Sequence, residues 1–224
     1  MDPNRKFWNE QQQALRKALS RSEEHQKAVA LFLAQHAMMH ASAVSGTGNW
    51  SMEDEVWQGL TGEAVRCIPP KFEHSIVWCI WHLTRCEDIT MNVLAAGTSQ
   101  MLLKEDWLGR LKIPDRDTGN AMDTGAMARF SAQIDIPALR AYRLSVGRRT
   151  RQVVESFAPG QFAVKVDPAR IQRIRDEGAV LESEKWLLDY WGGLTIAGLL
   201  LMPPTRHSLV HLNEALRIKA KCGQ

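Results

Sequence analysis

Residues 74–96 read HSIVWCIWHLTRCEDITMNVLAA, and Gly97 follows them. The stretch is apolar on nearly every side of a helix, the mark of a helix surrounded by others. Three more periodic segments accompany it. Residues 22–44 open on Ser22-Glu-Glu-His25, carry Val29, Phe32, Leu33, Ala37 and Val44, and end at Gly46 and Gly48. Residues 136–157 have Asp135 as N-cap and Pro137 in the first turn. Residues 204–220 end on basic side chains, which suit a helix C-terminus. These segments predict an all-α four-helix bundle. Residues 98–134 form a long crossover, with short helices near 104–111 and 123–132. A polar leading helix over 5–19, short helices near 52–59 and 167–176, and a helix over 182–201 decorate the bundle. Residues 162–166 (FAVKV) read as a short strand or an extended loop. We expect a single domain over 1–224, with 1–21 as its leading segment.

Composition narrows the function classes. Of the 224 residues, 45% are hydrophobic and 24% charged, so a sizeable core can be buried. The net charge of +3 is too small for a nucleic-acid surface. The basic run Arg140, Arg143, Arg148, Arg149 and Arg151 spreads around its helix and reads as a solvated face. The start of the chain lacks an apolar signal core. Its longest apolar stretch, Leu194 to Met202, is roughly half a membrane span. No nucleic acid and no membrane are expected. Cys79 and Cys86 would lie about 10 Å apart on one helix, too far for a disulfide. With no C-x-x-C pair, four free thiols and a cytoplasmic setting are expected. Gly192, Gly193 and Gly198 lack the strand and the Lys-Ser/Thr of a phosphate loop, and read as close helix packing.

The chemistry lies in the histidines. His207 and His211, four apart, place two imidazoles on one helix face and can share a metal ion. A bundle supplies the third ligand from another helix. His82 is the candidate, because Trp78, Cys79, Cys86 and Ile89 make its face apolar and a buried imidazole needs a partner. Glu214, three residues after His211, can orient that ring or bind the ion itself. His36 and His40 form a second H-x-x-x-H. The plainer reading is a solvated or helix-terminal pair, with His40 as an alternative further ligand. His25 and His74 read as surface residues, and Cys79 and Cys86 as inert core. Ser208 stands where a zincin protease has Glu, so that class is not supported.

The segments IVWCIWHLTRCEDITMN and RHSLVHLNEALRIK resemble the second and last bundle helices of the DinB-like (YfiT-like) metal-binding proteins. The resemblance implies a four-helix bundle with a long crossover between its second and third helices. It also implies a three-histidine site for a divalent metal, which falls by position on His82, His207 and His211. The family includes S-transferases that use bacillithiol, mycothiol or glutathione, and a mycothiol-dependent isomerase. The resemblance therefore implies a metal-dependent transferase with a low-molecular-weight thiol. The alternative is a non-catalytic, stress-associated protein that binds a metal or small molecule. Imidazole suits zinc, nickel, copper and iron alike; zinc or nickel is the expected ion. The expected partners are a thiol or another small-molecule substrate and, in a homodimer, a second copy.

Overall fold

The computed structural model describes residues 3–223. The helices that frame the molecule are α1 (Pro3–Leu19), α2 (His25–Met39), α3 (Ile76–Asp88), α4 (Ile136–Ser156), α5 (Lys185–Gly192), α6 (Ile196–Leu201) and α7 (Ser208–Cys222). Among the described residues there is no strand; Phe162 and Ala163 belong to a 3-10 turn, and Lys165 of the FAVKV segment forms an isolated antiparallel bridge with Thr195. Helix α3 packs against α4 and α7, α2 touches both of those helices, and α1 lies on α2 and α6. The expected all-helical architecture holds. No helix among the described residues is long and apolar enough to cross a membrane.

Local chemistry sets the ends of these helices. Ser75 Oγ accepts the Trp78 amide at 3.2 Å and starts α3. Asp135 Oδ1 accepts the Ala138 amide at 3.0 Å and starts α4. Such caps satisfy amides that have no helical partner. The predicted helix 22–44 is broken at His40, which is extended. Glu53 and Asp54 accept the next two amides, those of Ala41 and Ser42, and so take the place of helical carbonyls. The predicted helix 182–201 is also two helices. Thr195 caps the second by accepting the Gly198 amide, so Gly193 marks a boundary between α5 and α6 rather than close packing.

Helix α6 ends at Leu201, just before Pro203 and Pro204. They sit in a π-helical turn, Met202–His207, that joins α6 to α7. Prolines donate no amide hydrogen and leave carbonyls free. Hydroxyls satisfy two nearby carbonyls: Thr205 donates to Leu200 at 2.9 Å and Ser208 to Pro203 at 3.1 Å. The wide turn delivers His207 to the start of α7. Helix α3 likewise continues as a π turn, Ile89–Ala95.

The apolar core has two halves. One surrounds Trp81, Tyr142 and Leu212; the other surrounds Phe32, Ile89 and Leu199. Between them, along α2, α3 and α4, runs a polar layer of buried side chains that includes His36, His40, Glu87, Asp88 and Arg143. Arg143 is fully buried, which corrects the reading of its basic run as a solvated face.

The expectation of four free thiols is also corrected. Cys67 and Cys222 form a disulfide across 155 residues, while Cys79 and Cys86 are free and buried. The spacing of Cys79 and Cys86 within one helix carries no sign of this link, which joins distant segments. Cys67 ends the short helix Gly62–Arg66, and that helix packs on α7, whose last residue is Cys222. The link removes the ground on which a reducing compartment was argued. Breaking so long a loop through Cys67→Ser is expected to lower the unfolding free energy by about 2–5 kcal/mol. Guanidinium unfolding of the oxidised protein and the variant checks this; coincident curves would contradict it.

Candidate metal centre

Three helical segments bring His82, His207 and His211 together. Their ligand nitrogens lie within 4.8 Å of one another. The Nε2 atoms of His82 and His207 face each other at 3.1 Å. Nitrogens bound to one tetrahedral ion at about 2.0–2.1 Å stand about 3.3 Å apart, so the spacing fits a shared ion. His82 Nδ1–H donates to the Thr118 carbonyl at 2.7 Å, which leaves its Nε2 as a lone pair aimed at His207. Two such lone pairs face to face repel, and either a proton or an ion between them relieves this.

The surroundings hold the rings in place. Trp78 stacks on His82 with centroids 4.6 Å apart and on His74, just ahead of α3, at 3.7 Å, a run of rings four residues apart. The crossover closes over this stack at Gly119 (φ +78), where a Cβ would come within 2.9 Å of Trp78 Nε1. Glu214 accepts from His211 Nδ1 at 3.1 Å and from His74 Nδ1 at 2.8 Å. Burial pushes this carboxyl up, but the hydrogen bonds from His211 and His74 outweigh it and hold Glu214 well below the usual carboxylate range. A charged Glu214 fixes the His211 tautomer and turns Nε2 toward the other two rings. His74 is thus part of the site's frame, not the surface residue expected.

The second H-x-x-x-H is not solvated either. His36 and His40 are fully buried, and their Nε2–H groups donate to the two oxygens of Glu87 at 2.9 and 2.8 Å. Arg143 donates to Glu87 at 2.9 Å and to Glu53 at 3.1 Å. Gly147 gives α4 its close approach, since a Cβ there would stand 2.5 Å from His40 Nδ1. These histidines and Glu87 form their own group of potential ligands, to which His82 does not belong. A guanidinium on the same carboxylate opposes a second cation. Cys79, His211 and Glu214 form a third group. Burial, with the Glu214 carboxylate beside it, pushes the Cys79 thiol well up, against thiolate ligation. The donor set of three facing imidazoles is therefore the best fit to a divalent ion. His25 is buried and stacked on Phe162, another correction to a surface reading.

A cleft of about 110 Å³ opens over His82 and His207. Trp186, Tyr190 and Trp191 from α5 and Met202 and Pro203 from the π turn wall it. Cys86 borders it with Sγ 3.9 Å from His82 Nε2, and burial raises that thiol to about 12, so it keeps its proton.

Burial lowers the His82 imidazole to about 3, and the neighbouring His211 adds to the effect. Burial also lowers His36 and takes His40 and His207 well below the ordinary value; Arg143 reinforces it for His40 and His82 for His207. The unfolded chain protonates its histidines near about 6.5. Below that pH it binds more protons than the folded chain, so stability falls as pH drops from about 6.5, for His82 toward about 3. Glu53, raised by burial, acts in the opposite sense. The urea midpoint of the metal-free protein is expected to be lower at about pH 5 than at about pH 7.5. An equal or higher midpoint at the lower pH would contradict this.

A model of the DinB superfamily matches residues 47–186, more than half of the chain. The matched region contains His82 and Glu87 and stops before His207 and His211. No curated protein matches the chain. With its helical architecture and this match, the chain belongs to the DinB superfamily.

Proposed function

We propose that His82, His207 and His211 hold one divalent ion, zinc or nickel, and that the chain transfers a low-molecular-weight thiol to an electrophile. The facing Nε2 atoms of His82 and His207 at the floor of a cleft carry the reading. A divalent ion there would lower the pKa of a thiol and supply a sulfur nucleophile at neutral pH. The Thr118 carbonyl and Glu214 hold the rings of His82 and His211, and Trp78 keeps His82 from turning. The apolar walls of α5 and the π turn exclude water from the reacting groups. In the transfer the thiol gives its proton to solvent. Its sulfur forms a bond to carbon while the leaving group departs with the electron pair. Cys86 takes no part, since it retains its proton.

The test is calorimetric titration of chelator-stripped protein with zinc and nickel, followed by assay of thiol consumption with a model electrophile. One ion per chain and metal-dependent thiol loss are expected. Absence of tight binding would refute the metal centre. Binding without thiol turnover would refute the transferase.

A further inference from the structure

We propose that the cleft over His82 and His207 selects small, uncharged molecules with an aromatic or branched aliphatic body, and that Trp186 and Tyr190 do the selecting. The proposal rests on the metal-centre reading above and names the substrate class of that site.

Four observations carry it. Among the described residues no Lys, Arg, Asp or Glu lines the cleft, and besides the histidines and Tyr190 its polar side chains are Asn120 and the Cys86 thiol. Away from the histidines, a carboxylate or ammonium on the body of the ligand would be desolvated against these walls without a partner, which is costly. Second, Trp186 Nε1–H donates to Glu184 at 2.6 Å, placing a carboxylate beside the wall. That charge opposes an anionic body at the outer wall, and an ion held by the histidines opposes a cationic one, so the selection falls on the body of the ligand rather than on the head that reaches the ion. Third, Trp186 and Tyr190 lie one turn apart on α5 and are 55% and 42% exposed. Leu187, Leu188 and Trp191 of the same helix are buried and anchor it to the core. The two exposed rings add nothing to that core, yet both line the cleft and offer large, stiff surfaces for stacking. Fourth, the volume of about 110 Å³ is below the roughly 150 Å³ of a closed apolar cavity that takes up benzene, so the cleft takes a body no larger than one ring, seated partly in its open side.

The test uses full-length protein loaded with cobalt(II) and three thiols that share a head but differ in body: benzyl mercaptan (neutral, aromatic), 4-(mercaptomethyl)benzoate (anionic, its carboxylate too far from sulfur to chelate) and thiocholine (cationic). Cobalt absorption and tryptophan fluorescence report binding. Benzyl mercaptan is expected to bind at least about tenfold more tightly than either charged thiol. Trp186→Ala should weaken benzyl mercaptan about tenfold and leave cobalt stoichiometry and helical content unchanged. Tyr190→Ala should act in the same direction. Equal affinities for the three thiols, tighter binding of a charged one, or no loss in either variant would overturn the proposal. Failure to take up cobalt would instead overturn the metal centre itself, so the two ideas fail separately.

Discussion

Arg143→Ala is expected to lower the unfolding free energy by about 3–5 kcal/mol, the range for breaking a buried ion pair by removing one partner. Arg143 is fully buried and donates to Glu87, Glu53 and the Met39 carbonyl. Without it, two buried carboxylates face each other with only neutral imidazoles and amides as donors. Relief would come from protonating Glu53, whose carboxyl burial already raises. The double variant Arg143→Met with Glu87→Gln should lose less than the sum of its single changes, because these residues share one network. Guanidinium unfolding at neutral pH reads both effects. A loss below about 1 kcal/mol for Arg143→Ala would mean that the layer is hydrated or relaxes freely.

His207→Ala and His211→Ala are expected to lower metal affinity by orders of magnitude while helical content stays. Each removes one of three nitrogens, and the ion's affinity depends on all of them converging. The bundle's stability rests on the two halves of its apolar core, which these changes leave intact. His40→Ala should keep the metal, since His40 belongs to the Glu87 group. Loss of metal in His40→Ala alone would move the centre to Glu87.

How much of this was legible in the sequence depends on whether the signal lay along one helix. The run 74–96 disclosed a central helix, and Asp135 was readable as a cap because capping is local; it accepts an amide as a cap should. His82 stood out because its own face is apolar, and the i, i+4 spacing put His207 and His211 side by side. Pairings between distant segments carried no such periodic signal. Glu87 meets Arg143 across 56 positions, and Cys67 meets Cys222 across 155. One clue was present: Arg85, Glu87 and Asp88 sit together in a helix read as apolar all round. Charges at i, i+2 and i+3 of a central helix cannot all reach solvent, so some had to find buried partners. Tyr142 and Asp88 answer Arg85 within 3.0 Å, and His36, His40 and Arg143 answer Glu87. The burial of His36 and His40 could have been inferred from that need.

The most direct test of the central claim is anomalous diffraction from crystals of the protein loaded with zinc, recorded on both sides of the metal's absorption edge. The account predicts one peak per chain, about 2.0–2.1 Å from a nitrogen of each of His82, His207 and His211. It also predicts that Glu214 still accepts from His211 and that the side facing Trp186 and Tyr190 is open. A peak between His36, His40 and Glu87, or one bonded to the sulfur of Cys79, would contradict it.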